Sequence, residues 1–206
     1  MITMTDTWNS SDKFNREARQ WDENPQRRVL AHTVAKAIIA AAKPTKSMLA
    51  LELGCGTGLV TLEIAQLVKM LYAVDTCGIT NIDVSRLDFL SSSESVLDDK
   101  RFDLIYSSMT LHHIDNTAGL LNRISRLLAP GGITTIADLD QEDGLFHDDP
   151  LEKVHHGFDR EELAAILRAA GLEATSFETI HAFNKTNRSG VTAAYPVFLV
   201  TAAKKL

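Results

Sequence analysis

Short apolar segments alternate with longer amphipathic ones along most of the chain. Runs of apolar and β-branched residues predict strands at residues 48–53, 71–75, 82–89, 102–107, 133–139, 175–180 and 197–202. Apolar residues at helical spacing predict helices at residues 59–70, 120–128 and 159–170, and residues 1–45 also show a helical pattern. This alternation is typical of an α/β fold in which helices cover both faces of a mostly parallel sheet.

One connection departs from the alternation. Only the six residues TCGITN separate the strand that ends at Asp75 from the strand predicted to begin at Ile82. Neighbouring parallel strands need a crossover of about 10–12 residues or more, usually a helix. Either the strand pairing changes at this point or a helix has been lost from the chain, and we favour the second explanation.

The composition fits one soluble domain. The 206 residues are 45% hydrophobic and 23% charged, which is enough apolar material for a complete core. The formal net charge of −6 argues against nucleic acid and anionic membranes as partners. We find no pattern of a secretory signal and no apolar run that could cross a bilayer, and two cysteines cannot build a multi-disulfide framework. The sequence therefore predicts a cytoplasmic protein.

A glycine-rich segment, ELGCGTG at residues 52–58, lies where a predicted strand passes into a predicted helix. Glycines at such a junction permit a tight turn and let a ligand approach the backbone. The dinucleotide pattern G-x-G-x-x-G would need Gly or Ala where Leu59 stands, and the Glu52 carboxylate would repel a pyrophosphate but suits an α-amino group. Asp75 is placed to accept hydrogen bonds from ribose hydroxyls, and Asp88 could accept one from an adenine amine. Together these groups describe S-adenosylmethionine.

The chain resembles the class I S-adenosylmethionine-dependent methyltransferases, in their small-molecule branch. The similarity rests on ALELGCGTG, AVD, RLDF, FDLIYSSMTLHHI and LLAPGG in that order, with FNREARQWDENP before them and VHHGFDREELAAILRAAGL after them. The resemblance implies a Rossmann-like sheet of seven strands with an antiparallel last strand, a helical lid at residues 1–45 and a cofactor-binding part at residues 46–206. It also implies methyl transfer by in-line displacement to a small-molecule acceptor, with S-adenosylhomocysteine as product.

The resemblance assigns roles to particular residues. The cofactor would contact Glu52, Gly54, Cys55, Gly56, Thr57, Gly58, Asp75, Thr76, Asp88, Phe89, Ser107 and Ser108. His113 and His112 would border the reacting methyl group, and an imidazole suits the role of general base. Trp21, His155 and His156 are candidates for the lid and the acceptor site.

The acidic segment after the fifth predicted strand suggests a calcium loop only superficially. An EF-hand starting at Asp138 would need Gly at position 143 and Glu at position 149, and both positions hold Asp. We therefore expect a solvated acidic loop without a metal, formed by Asp138, Asp140, Glu142, Asp143, Asp148 and Asp149. A divalent-ion site made by these acids with His147, His155 and His156 is a minor alternative.

Other functions remain open at this stage. A protein that binds the cofactor without turnover fits the same motifs, because this family has no universal catalytic residue. A nucleotide-dependent oxidoreductase is disfavoured by Glu52 and Leu59, and a DNA amino-methyltransferase by Ser-Ser-Met-Thr where Pro-Pro-aromatic is expected. The acceptor and the oligomeric state are left undetermined.

Overall fold

The computed structural model describes residues 24–75, 97–205 and the backbone of residues 85–86. Its helices are α1 (Pro25–Ala42), α2 (Leu59–Ala65), α3 (Thr117–Leu127) and α4 (Arg160–Ala169), with a short 3-10 helix at Leu111–His113. Its strands are β1 (Leu49–Leu53), β2 (Met70–Asp75), β3 (Ser85–Arg86), β4 (Phe102–Ser108), β5 (Leu128–Leu139), β6 (Leu172–Thr186) and β7 (Thr192–Lys204).

The strands of this part of the chain form one sheet in the order β3-β2-β1-β4-β5-β7-β6. All neighbours from β3 to β5 pair in parallel, and β7 runs antiparallel to both β5 and β6. The predicted seven-stranded, mostly parallel sheet with an antiparallel last strand is confirmed. Because the carboxyl ends of β1, β2, β4 and β5 meet at one edge, the loops that follow them lie together.

Helices cover both faces of the sheet, as expected. On one face, α1 and α2 pack through Leu30, Val34, Ile38, Val60 and Ile64. On the other face, α3 and α4 pack through Leu121, Ile124, Leu163 and Leu167. In both layers the apolar stripe of each amphipathic helix is buried against the strands.

Helix α1 is the described part of the predicted N-terminal lid. It begins at Pro25 after Asn24, whose side chain accepts a hydrogen bond from the Gln26 amide, and Pro at the first helical position favours this start. The helix packs against the sheet and α2. Residues 1–23 lie outside the described residues, so the lid role and the boundary at residues 45–46 stay predictions.

The predicted bounds of one helix and two strands were wrong. The helix predicted at residues 59–70 ends at Ala65, and Met70 already pairs with Leu49 in the parallel ladder. The strands predicted at residues 175–180 and 197–202 are much longer, since β6 and β7 continue past the point where Leu139 ends β5 opposite Val197. The part of this hairpin that extends beyond β5 packs against the core on one face only, so it carries no continuous apolar run.

The connection after Asp75 keeps its parallel pairing. Strand β3 pairs in parallel with β2, with Ser85 opposite Val74, so a change of strand pairing does not explain the short connection. Residues 76–84 and most of the predicted strand at residues 82–89 lie outside the described residues, and the lost helix stays a prediction. Among the helices that the structure describes, none is long and apolar enough to span a membrane.

Candidate active site

The glycine loop, residues 54–58, turns the chain from β1 into α2. Gly54, Gly56 and Gly58 adopt φ values of 72°, 50° and 87°, which only glycine adopts without strain. The Gly58 amide closes the turn by donating to the Cys55 carbonyl at 2.9 Å. The local structure therefore requires the three glycines at this spacing, whatever the loop binds.

The glycines differ in what surrounds them. A Cβ on Gly54 would clash with the Thr110 side chain, so this glycine lets the loop after β4 approach the glycine loop closely. A Cβ on Gly56 would meet no atom of the described part of the chain within 4 Å, and Gly56 is exposed. The open side of the loop is thus at Gly56, where a ligand could lie against the backbone.

Asp75 lies beside this open side. It is the last residue of β2, and its carboxylate accepts a hydrogen bond from the Gly56 amide at 2.6 Å. The structure thus brings the predicted ribose-binding carboxylate to the glycine loop. The predicted adenine-side residues Thr76, Asp88 and Phe89 lie outside the described residues.

Glu52 lies beneath the glycine loop and is only 2% exposed. Its carboxylate accepts a hydrogen bond from the Tyr106 hydroxyl at 3.0 Å. Burial raises the pKa of Glu52 to about 7, and the Asp75 carboxylate adds to the rise, whereas the Tyr106 hydroxyl opposes it. Because protein covers Glu52, its direct contact with an α-amino group stays a prediction.

The remaining predicted cofactor residues occupy the same edge of the sheet. Cys55 is buried within the loop, and Thr57 is half-buried. The buried Ser107 hydroxyl donates to the Leu53 carbonyl at 3.0 Å, which ties β4 to β1 at the start of the loop. Ser108 is half-buried, and its carbonyl accepts a hydrogen bond from Thr110.

His112 and Asp138 form a buried pair at the ends of β4 and β5. Nδ1 of His112 lies 2.6 Å from Oδ1 of Asp138, and the two side chains are 2% and 0% exposed. A carboxylate can only accept, so Nδ1 carries the proton and Nε2 of the neutral ring can accept one. Burial by itself would raise the pKa of Asp138, but His112, through its hydrogen bond and through its charge when it is protonated, holds that pKa below its usual value.

The expectation of a solvated acidic loop is therefore wrong for Asp138. Its neighbours in the sequence behave differently: Asp140 binds Arg160 through both oxygens, and Glu142 accepts hydrogen bonds from the Leu145 and Phe146 amides. Sequence reasoning missed Asp138 as a site residue because it grouped all six acids. The signal that it missed was the position of Asp138 inside the apolar strand ITTIADL.

His113 stacks beside His112, with ring centroids 4.0 Å apart. Burial and the neighbouring His112 lower the pKa of His113 to about 3, and His147 adds to the effect, whereas Asp138 and Glu152 oppose it. The His113 ring is thus neutral near pH 7. The structure places a carboxylate within 2.6 Å of the ring of His112, one of the two histidines predicted to border the methyl group, and the role of base stays a prediction for both His113 and His112.

The other predicted acceptor-site residues take separate positions. His155 Nε2 lies 2.9 Å from the Ile114 carbonyl, and its ring borders a pocket of about 350 Å³ between the starts of α3 and α4. His156 is exposed and lies against Gly144. Trp21 lies outside the described residues. Within the described residues, no three His, Cys, Asp or Glu side chains are placed to hold a metal ion.

We expect the depressed His113 pKa to make the protein sensitive to acid. Because the unfolded chain binds this proton more readily, stability rises with pH between about pH 3 and 6.5 and falls on acidification through that window. Lowering the pH from 6.5 to 5 should cost up to about 2 kcal/mol through this residue, at ~1.4 kcal/mol per pH unit. When the pH is lowered from 7 to 5, the Tm of His113→Gln should fall less than the Tm of the wild type.

Glu52 acts with the opposite sign in part of the same window, because its pKa is raised on folding. It is present in both proteins, so the difference between them isolates His113. Tm curves that run parallel from pH 7 to pH 5 would contradict this assignment.

Comparison with known families and structures agrees with this geometry. The family described as "Methyltransferase domain" matches residues 23–176, and the chain therefore belongs to this family. The predicted membership among the class I S-adenosylmethionine-dependent methyltransferases is confirmed, and S-adenosylmethionine is the cofactor of that family.

Among similar proteins are two ubiquinone biosynthesis O-methyltransferases. The one from Chelativorans sp. (strain BNC1) is 30% identical over 112 residues, which cover 49% of this chain and 44% of the relative. The one from Pelagibacter ubique (strain HTCC1062) is 27% identical over 154 residues, which cover 63% of this chain and 64% of the relative. The chain thus spans about half to two thirds of the length of these relatives.

A solved structure shares the fold at lower identity. It is the crystal structure of Burkholderia thailandensis 1,6-didemethyltoxoflavin-N1-methyltransferase with bound 1,6-didemethyltoxoflavin and S-adenosylhomocysteine. The match is 20% identical with a TM-score of 0.71, and it covers 95% of this chain and 87% of that chain.

Proposed function

We propose that this chain binds S-adenosylmethionine along the glycine loop and transfers its methyl group to a small-molecule acceptor above the ends of β4 and β5. The Asp75 carboxylate suits the hydroxyl groups of a ribose. The exposed backbone of Gly56 beside it suits a ligand that lies against the main chain. Gly54, Gly58, Thr57 and Ser107 shape or support this cradle. When bound, the cofactor supplies a methyl group on a positively charged sulfur, which leaves as a neutral thioether.

The observation that carries the catalytic part of the proposal is the 2.6 Å contact between His112 and Asp138. It orients the imidazole, keeps the proton on Nδ1, and leaves Nε2 to take the proton that an acceptor hydroxyl or amine must lose. The Asp138 charge then stabilises the imidazolium that forms. His113, packed on His112, helps to keep water away from this pair.

The relatives favour a small-molecule acceptor. Both relatives described above are O-methyltransferases by name, and the solved structure described above holds a small molecule, 1,6-didemethyltoxoflavin. The formal net charge of −6 does not favour nucleic acid as the acceptor. We therefore propose a small molecule with an ionisable oxygen or nitrogen as the acceptor.

Thermal unfolding with three ligands in separate samples tests the proposal. S-adenosylmethionine and S-adenosylhomocysteine at 100 times Kd should each stabilise the protein by about 2.7 kcal/mol, which raises Tm by roughly 5–11 °C, whereas NAD should have no effect. An absent shift with both adenosyl compounds would overturn the cofactor site. Transfer of a labelled methyl group to a panel of hydroxyl and amine acceptors then separates an enzyme from a protein that only binds the cofactor.

A further inference from the structure

The loop at residues 140–158, which follows β5, carries a second histidine–carboxylate pair. Nδ1 of His147 lies 3.4 Å from Oε2 of Glu152, and the two side chains are 15% and 7% exposed. The His147 ring centroid lies 5.3 Å from that of His112 and 5.6 Å from that of His113. The second pair therefore packs directly against the pair that we propose as the base.

The hairpin of β6 and β7 fixes His147 in this position. The neighbouring Phe146 ring packs on Phe183 and Tyr195, with centroids 5.4 and 5.3 Å away. Lys185 donates to the Phe146 carbonyl at 2.6 Å, and Arg188 donates to the His147 carbonyl at 2.9 Å. These contacts hold the loop without a ligand, so the position of the imidazole is set in advance.

One atom of His147 is left unsatisfied by this arrangement. Nε2 is buried and has no hydrogen-bond partner among the described residues. The Glu152 carboxylate faces Nδ1 and favours a proton on that nitrogen, an arrangement that leaves Nε2 to act as an acceptor. A buried acceptor without a donor costs about 1–3 kcal/mol, so a donor from a bound molecule would be favoured at this place.

We propose that His147 is a specificity-determining residue that accepts a hydrogen bond from a second donor group on the acceptor molecule. This inference rests on the proposed function, in which His112 takes the proton from the group that is methylated. The two ring centroids are 5.3 Å apart, a distance that two donor groups of one small molecule can span. The acceptor would thus carry two neighbouring hydroxyl or amino groups, one methylated and the other bound by His147.

The state of the His147 ring gives a test that needs no acceptor. Histidine-selective NMR of the ¹⁵N-labelled full chain with S-adenosylhomocysteine should show the neutral His147 ring with its proton on Nδ1 and a bare Nε2. A proton on Nε2, in a neutral or a doubly protonated ring, would overturn the proposal, because that nitrogen would then be a donor.

Matched acceptors test the specificity directly. Catechol, 1,2-diaminobenzene and 1,2-propanediol are each compared with the one-donor partners phenol, aniline and 1-propanol. The wild type should prefer the two-donor member of at least one pair. His147→Phe should reduce that preference about tenfold by raising the KM of the two-donor acceptor, with little change in kcat. His32→Phe is the control, since His32 also pairs with a carboxylate, Glu63 at 2.8 Å, but is 55% exposed on α1.

The outcomes separate this proposal from the one on which it rests. Equal use of one-donor and two-donor acceptors, or transfer to no two-donor acceptor while S-adenosylhomocysteine still raises Tm, overturns the role of His147 and leaves the cofactor site intact. Failure of S-adenosylhomocysteine to raise Tm overturns the proposed function itself. A preference that survives in His147→Phe also overturns the role of His147.

Discussion

Replacing Gly56 with valine is expected to abolish cofactor binding while the fold survives. Gly56 adopts a φ of 50°, and a valine there would carry a backbone strain of about 1–2 kcal/mol. Among the described residues no atom lies within 4 Å of the new Cβ position, so the side chain would extend into the open side of the glycine loop. Gly56→Val should therefore unfold at a moderately lower Tm and show no Tm rise with S-adenosylhomocysteine.

Gly190 provides a matched control for this substitution. It lies in the turn between β6 and β7 with a φ of 79°, and its Cβ position is equally open. Gly190→Val should lose similar stability from backbone strain but keep the full ligand-induced Tm rise. A normal Tm rise in Gly56→Val would show that the ligand does not approach the loop at this residue.

Replacing Asp138 with asparagine is expected to reduce turnover by roughly 10²–10⁴-fold with little change in cofactor affinity. Oδ1 of Asp138 accepts from both Nδ1 of His112 and the Leu139 amide, at 2.6 and 2.8 Å, so an asparagine that turns its NH₂ group toward Nδ1 also gives up the contact with Leu139. In either orientation the substitution removes the charge that stabilises a protonated His112, and in this orientation it places an NH₂ group against Nδ1. The favoured His112 tautomer would then have its proton on Nε2, where a base needs a lone pair.

The measurement combines kcat for the best acceptor of the panel with the His112 tautomer by NMR. Asp140→Asn is the control, because Asp140 also lies just past the end of β5 but binds Arg160 at 2.6 Å rather than a histidine. We expect this control to lower stability and to leave kcat close to that of the wild type. An Asp138→Asn protein with wild-type kcat would contradict the assignment of His112 as the base.

Much of the site could be predicted from the sequence because its signals are local. Three glycines between a strand and a helix indicate positive φ values, and the structure confirms them at Gly54, Gly56 and Gly58. Asp75 ends β2 and His112 comes shortly after β4, and parallel strands bring such ends to one edge. The sheet, its antiparallel last strand and the helices on both faces follow from the same alternation together with the family resemblance.

The chain by itself thus determined the element order, the glycine loop and the class of protein. Only the tertiary structure decided that Asp138 is the partner of His112, that Glu52 is covered, and that His147 packs against the histidine pair. These contacts join residues far apart in sequence, and strand order, register and burial set them. The acidic residues from Asp138 onward look alike in the sequence. In the structure the end of β5 buries Asp138, whereas the loop that follows leaves Asp143, Asp148 and Asp149 exposed.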